Sequence, residues 1–484
     1  MHQRHLRLAL ATATAAALTG GLLTFSAVTA TAADPTTVAQ ADFNNDGIGD
    51  TAFSADGAYV GGKKNAGQLV VLYGTRTGVS SAQRSVISQN TTGTPGTAET
   101  GDGFGVDSAY ADFNGDGYDD LAVGSPGEDV GADTDGGSLA VLWGSASGIT
   151  GKGVTIPDPA PGKHDRWGKT LAAGDFDGDG KADLAVGSTG AAVYVFKDGI
   201  SGDGTTGGQY TVTPPIASHA GAGALHLTAG DVTGDGRTDL VVDGYETTSE
   251  RGWNRNYYFP GVSGGLSDGR VKELKSGIVS GIGDINHDGY GDIVTGASWN
   301  GEPNSATGGK IWITYGTANG PGTVKGITQD TGSVPGTAEK DDYFGWDLDL
   351  GDINGDGFQD LVIGAPGENI GGITDAGMVT VLYGTASGLN TSSGAQSFAQ
   401  STAGVPGEDE TNDAFGADAK LDDVNGDGKA DLLVGSYEND GNGAVLYLPS
   451  NGTKLTTAGS RTVSPSAVGV STTGVPAFGV NFAD

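Results

Sequence analysis

Residues 112–128 read DFNGDGYDDLAVGSPGE: four aspartates within nine residues, then an abrupt turn to an apolar run. Six other stretches repeat the pattern: DFNNDGIGD from Asp42, DFDGDGKAD from Asp175, DVTGDGRTD from Asp231, DINHDGYGD from Asp284, DINGDGFQD from Asp352 and DVNGDGKAD from Asp423. Their mean spacing is about 64 residues, so each repeat is long enough to be one supersecondary unit. After the last Asp of the unit comes a short apolar run such as LAVGSP or LVIGAP. A variable polar loop follows, then a second run such as GQLVVLYGTRTG or GMVTVLYGTASG. An aromatic–glycine pair stands eight residues before four of the loops: Phe104-Gly105, Trp167-Gly168, Phe344-Gly345 and Phe415-Gly416.

Runs of Val, Leu, Ile and Tyr bounded by glycine turns are strands. Four strands per unit and seven units predict an all-β chain folded as a seven-bladed β-propeller with four-stranded antiparallel blades. A solenoid of this length would need capped ends, and no distinct capping unit is present. The stretch AFGVNFAD, Ala477 to Asp484, repeats the aromatic–glycine strand but carries no aspartate loop. It is expected to close the ring against the N-terminal blade, whose own first strand lacks the pair.

Residues 1–32 begin with Arg4 and Arg7, continue apolar and reach small residues at Ala30-Thr31-Ala32, the pattern of a secretory signal peptide. Residues 33–484 are then a secreted, extracellular propeller, expected to be monomeric. They hold no other apolar run near the ~20 residues a membrane span requires. Cysteine is absent, so rigidity must come from a large core or from bound metal. The formal charge of −34 makes nucleic acid and anionic membranes poor partners.

The acids are not scattered. Positions 1, 3, 5 and 9 of each loop supply hard oxygens, and Gly at position 6 allows the sharp turn, a pattern suited to calcium. Position 7 is expected to add a backbone carbonyl, which frees its side chain to vary. The expected ligands are Asp42, Asn44, Asp46, Ile48 and Asp50; Asp112, Asn114, Asp116, Tyr118 and Asp120; and Asp175, Asp177, Asp179, Lys181 and Asp183. The later loops offer Asp231, Thr233, Asp235, Arg237 and Asp239; Asp284, Asn286, Asp288, Tyr290 and Asp292; Asp352, Asn354, Asp356, Phe358 and Asp360; and Asp423, Asn425, Asp427, Lys429 and Asp431. An EF-hand would need Glu at position 12 and a following helix, whereas Phe53, Val123 and Val186 stand there within predicted strands. Magnesium demands stricter octahedral geometry, and zinc is disfavoured without Cys or clustered His. Up to seven structural Ca2+ ions are therefore expected. Thr233 should mark the weakest site and Asp177, a fourth carboxylate, the tightest.

These residues resemble the FG-GAP repeats of the integrin α-subunit β-propeller. The likeness rests on Phe104-Gly105, the loop Asp112 to Asp120 and Gly124-Ser125-Pro126, and again on Phe344-Gly345, the loop Asp352 to Asp360 and Gly364-Ala365-Pro366. It implies a seven-bladed propeller with calcium in the loops between strands one and two. Here every repeat has such a loop, whereas integrins carry them in a subset of blades. Similar repeats also occur beside enzyme domains, so the resemblance fixes fold better than function.

Successive turns of antiparallel strands fall on opposite faces of the ring. The calcium loops and the YGTASG-type turns should share one face, leaving the longer loops on the other. That opposite face is expected to bind an extracellular protein in the manner of an adhesion module; the alternatives are a lectin that binds carbohydrate there and an extracellular hydrolase or lyase with its site on that face. Arg251, Trp253, Arg255 and Trp299, an aromatic and cationic group in an acidic chain, are the candidate ligand residues. No catalytic residues are assigned. Ser263 lies in a GxSxG pattern, but inside an expected hairpin rather than between strand and helix. His164, His219 and His226 have no partner at an informative spacing.

Overall fold

The computed structural model describes residues 40–247, 252–437 and 441–484. The expected signal peptide, residues 1–32, and Arg251 lie outside the described residues. Seven four-stranded antiparallel sheets follow one another around a ring. Blade 2 is typical: Ser108–Ala111, Asp120–Ser125, Ser138–Leu142 and Gly153–Thr155 run from the centre outward. Helix is confined to Pro465–Val468 and a short 3-10 turn at Asp268–Arg270 among the described residues.

The second strand of each blade explains why its sequence is continuously apolar. Asp120–Ser125, Asp360–Ala365 and Asp431–Ser436 are buried along their whole length because neighbouring blades cover both sheet faces. Apolar clusters accordingly straddle blades, joining Leu69 and Val71 of blade 1 with Leu121 and Val123 of blade 2. The aromatic of each aromatic–glycine pair plugs the same interface: Phe104, Trp167, Phe344, Phe415 and Phe478 are all at most 1% exposed. Two glycines make this approach possible. A Cβ on Gly67 would stand 2.3 Å from the Phe104 backbone, and one on Gly124 would stand 1.9 Å from the Gly168 carbonyl of the next blade.

The ring closes by exchange. Phe478–Phe482 is the innermost strand of blade 1, antiparallel to Thr51–Ala55, with Phe53 opposite Phe482 and Ala55 opposite Phe478. Phe53 meets Phe478 edge to face at 5.0 Å and Phe482 at 5.6 Å. The strand also reaches blade 2, where Tyr110 N–H donates to the Asp484 carbonyl at 3.1 Å.

Innermost strands are edges facing a central channel, and their free backbone groups need partners. Channel aspartates supply many of them. Asp107 accepts the N–H of Leu171 from blade 3 at 3.0 Å, Asp347 that of Ala419 from blade 7 at 2.7 Å, and Asp349 that of Leu421 at 2.6 Å. Asp418 receives the Asn481 N–H of the closing strand. Lys420 lies among them, 2.8 Å from Asp484 and 3.9 Å from Asp349. Between blades 4 and 5 hydroxyls serve instead, Thr228 Oγ1 donating to the Ser280 carbonyl at 2.8 Å.

Crowding acids into the channel has a measurable consequence. Burial first, and neighbouring carboxylates second, hold Asp347 well above the usual carboxylate range, and burial pushes Asp418 up to about 8. A raised carboxyl pKa contributes stability that is complete below pH 4 and lost as pH rises through about 8. The double variant D347N/D418N keeps an oxygen acceptor for each N–H but removes both charges. It should melt about 2–3 °C higher than the parent at pH 8 and about equally at pH 4, measured in saturating calcium. An unchanged melting temperature at pH 8 would refute the account.

Candidate metal centres

Each aspartate loop joins the first to the second strand of its blade. Blade 1 is the exception in connectivity, because its first strand comes from the other end of the chain. All seven loops share one hydrogen-bond scheme. The position-1 carboxylate accepts the N–H groups of positions 5 and 6: Asp116 at 3.0 Å and Gly117 at 2.9 Å onto Asp112, Asp427 at 3.0 Å and Gly428 at 2.7 Å onto Asp423. The position-5 carboxylate accepts the N–H of position 7, as Asp46 does from Ile48 at 3.0 Å and Asp356 from Phe358 at 3.1 Å. Gly at position 6 takes φ between 80° and 89° in every loop. Position 4 is also left-handed, and Asn45 (φ 52°) and His287 (φ 55°) occupy it where other loops have glycine.

Position 9 is the buried anchor. Asp50, Asp120, Asp239, Asp292, Asp360 and Asp431 are 0% exposed and Asp183 is 1% exposed. Their carboxylates reach the turn between strands three and four: Asp50 accepts Gly74 N–H at 2.9 Å, Asp120 accepts Gly144 N–H at 2.9 Å, and Asp360 accepts Gly384 N–H at 2.8 Å. The two kinds of turn thus share one face. Burial, reinforced by the position-1 and position-5 carboxylates, pushes Asp50, Asp120 and Asp360 up to about 8. Burial, with neighbouring loop carboxylates behind it, brings Asp183, Asp239, Asp292 and Asp431 to about 7.

The donor set fits calcium. Every side chain at positions 1, 3, 5 and 9 offers oxygen, and acceptors are left over inside the loops. Asn114 Oδ1 and Asp292 Oδ2 are buried without a hydrogen-bond partner. In the third loop the carboxylate oxygens of Asp175, Asp177 and Asp183 lie within 4.8 Å of one another, as do those of Asp177, Asp179 and Asp198. A cation bridging such oxygens removes their mutual repulsion. Among the described residues, groups of three carboxylates this tight occur in that loop.

The loops are not equivalent. Asn44, Asn286 and Asn354 accept the position-5 N–H at 2.9–3.0 Å. Asn425 instead donates its amide to Asp431 at 2.8 Å, and Thr233 Oγ1 faces Asp231 at 3.4 Å. Protein cations stand beside two loops: Lys197 pairs with Asp177, and Arg237 with Asp235 at 2.9 Å. Lys197 was not anticipated, since it lies 20 residues from Asp177 on the third strand.

On the opposite face the candidate ligand residues separate. Arg255 pairs with Glu246 at 2.6 Å and Glu273 at 3.2 Å and donates to Ser276 at 2.7 Å, which ties up its guanidinium. Trp253 is half-buried. Trp299 is 41% exposed and meets Tyr343 at 5.3 Å and Trp346 at 5.5 Å, two rings sequence reasoning passed over. Ser263 sits in the turn between Gly261–Val262 and Gly265–Leu266. His164 packs within an aromatic cluster, 5.8 Å from Trp167 and 5.4 Å from Tyr194.

The FG-GAP repeat model matches residues 104–142, 167–196, 276–314, 344–382 and 415–448. These segments lie in blades 2, 3, 5, 6 and 7. Over 148 residues the chain is 34% identical to the phosphatidylinositol-glycan-specific phospholipase D of Mus musculus, covering 31% of this chain and 17% of that protein. Over 267 residues it is 27% identical to integrin alpha-PS2 of Drosophila melanogaster, covering 54% of this chain and 15% of that protein. The chain thus spans less than a fifth of the length of these relatives. A solved structure of the Dos1 propeller superposes with a TM-score of 0.39 at 10% identity, covering 80% of this chain and 79% of that one. Five of the seven blades carry FG-GAP repeats, and the chain is homologous to integrin alpha subunits, consistent with an integrin-like FG-GAP β-propeller.

Proposed function

We propose that this protein is a secreted, calcium-stapled propeller whose face opposite the aspartate loops serves as an extracellular binding and adhesion module. The observation that carries the reading is the division of labour between the faces. One face holds seven loops with a single hydrogen-bond scheme and buried, surplus acceptors. The other holds the longer loops and a cavity of about 900 Å3 at the channel mouth. Calcium supplies the positive charge that lets the crowded carboxylates stay ionised. The residues that would hold it are those at positions 1, 3, 5 and 9 of each loop, with the position-7 carbonyl. A rigid ring then presents the opposite loops as a fixed surface.

No helix among the described residues is long and apolar enough to cross a membrane, which is compatible with release. The test places the purified propeller on an array of glycans and matrix proteins, in calcium and again in excess chelator. Retention of a protein or glycan ligand in calcium and its loss in chelator are expected. A blank array in calcium would overturn the reading.

A further inference from the structure

We propose that the channel mouth on the face opposite the aspartate loops binds a carboxylated glycan, its acid groups on blade 3 and a sugar ring on blade 6. The proposal rests on the binding-module reading above and names its ligand class. It begins from two register positions, the residues just before and just after each aromatic–glycine pair. The preceding residues are Gly103, Arg166, Tyr343, Ala414 and Ala477, and all five are left-handed, with φ from 50° to 60°. The following residues are Val106, Lys169, Trp346, Ala417 and Val480. In blades 1, 2 and 3 both positions line the mouth, and Tyr343 and Trp346 hold the same register positions in blade 6. The cavity of about 900 Å3 is lined at the first by Gly103, Arg166 and Ala477, and at the second by Val106, Lys169 and Val480.

In three of the five copies these positions hold only glycine, alanine or valine. Blade 3 fills both with cations and blade 6 fills both with aromatics. A left-handed φ disfavours any residue other than glycine, so Arg166 and Tyr343, like Ala414 and Ala477, sit there at a conformational cost. Blades 3 and 6 are three places apart in a ring of seven, which puts the two pairs nearly opposite each other across the mouth.

The cations are available. No carboxylate of the described residues lies within ion-pair distance of Lys64, Arg166 or Lys169, and the ammonium of Lys169 donates to the Ala222 carbonyl at 2.8 Å. Of the four acids that line the cavity, Asp56, Asp102, Asp107 and Asp135, two are held by backbone N–H groups. Asp102 accepts Glu99 N–H, and Asp107 accepts the N–H groups of Leu171 and Ser108. A guanidinium and an ammonium side by side suit a carboxylate. Across the mouth, Trp299, Tyr343 and Trp346 stand 5.3–5.7 Å apart with ring planes inclined 61–69°, so they form a corner of ring faces and edges rather than a closed stack. The C–H face of a pyranose covers such a surface, whereas an acidic peptide would use only the cationic side. The net charge of −34 does not prevent this, because at physiological salt the Debye length is about 8 Å and distant acids are screened.

Other blades supply substitutions that the backbone already accepts. In R166G/K169V and Y343A/W346V, each new residue stands at the same position elsewhere in the ring. The full chain in saturating calcium is titrated with uronate oligosaccharides, neutral oligosaccharides of equal length and poly-glutamate. Uronate binding that falls about tenfold or more in R166G/K169V, and falls for both glycans in Y343A/W346V, is expected. Binding that neither double variant alters would overturn the proposal while leaving the binding-module reading intact. Poly-glutamate binding without uronate binding would do the same. Loss of all binding on the broader array would remove both.

Discussion

Excess chelator is expected to lower the melting temperature of the propeller by about 20 °C. Binding at a hundredfold excess over Kd contributes about 2.7 kcal/mol per site, so seven sites together contribute about 19 kcal/mol. An unfolding entropy of about 2.1 cal/mol/K per residue turns that into about 20 °C for a ring of this size. The physical cause is the repulsion among buried carboxylates. Without a cation, seven buried position-9 aspartates sit beside at least two further carboxylates each, and their pKa values stand at about 7 to 8. Such raised values contribute stability that is complete near pH 4 and lost as pH rises through 8. Calcium acts in the opposite sense, because it binds the ionised form and protons compete with it. The gap between calcium-loaded and chelated melts should therefore widen from pH 5 to pH 8. Differential scanning calorimetry at the two pH values checks both claims. A chelated melt within about 2 °C of the loaded one at pH 8 would sink the stapling account.

How much of this was legible in the sequence follows from what repeats. The aspartate loop recurs seven times and the apolar runs recur at fixed offsets, so blade number, strand number and the shared face of the two turn types could all be read from spacing. The closing strand was legible because Phe478-Gly479 repeats the signal without the loop. What stayed hidden depends on contacts between blades. Asp107, Asp347 and Asp418 each stand two residues after an aromatic–glycine glycine, a regular signal, yet their partners lie on the next blade. Lys197 beside Asp177 and the Trp299, Tyr343 and Trp346 corner also join residues distant in sequence. Arg255 looked like an open cation because Glu246 and Glu273 come to it only through strand pairing and the turn above it. Blade 4 has no aromatic–glycine pair, and its fourth strand is only Lys272–Glu273, so its register had to come from the fold.

Replacing Phe478 by alanine should destabilise the ring by about 3–5 kcal/mol, the usual cost of emptying a buried phenylalanine site. Phe478 is fully buried in a cluster that unites Phe53, Val70 and Leu72 of blade 1 with Leu433, Val445 and Tyr447 of blade 7. Its N–H also bonds the Asn442 carbonyl, so it ties the last blade to the first as well as filling the space between them. An ordinary core phenylalanine, such as Phe259 between blades 3 and 4, should cost about as much in free energy but leave the ring closed. The distinction is in the unfolding curve. Loss of the closing strand frees the inner edge of Thr51–Ala55, so F478A should unfold in two resolved steps in urea and lose calcium from the Asp42 loop first. F259A should keep one step at a lower midpoint. A single cooperative transition in F478A, shifted no further than that of F259A, would show that closure rests on the backbone pairing of Phe478–Phe482 with Thr51–Ala55 rather than on the aromatic plug.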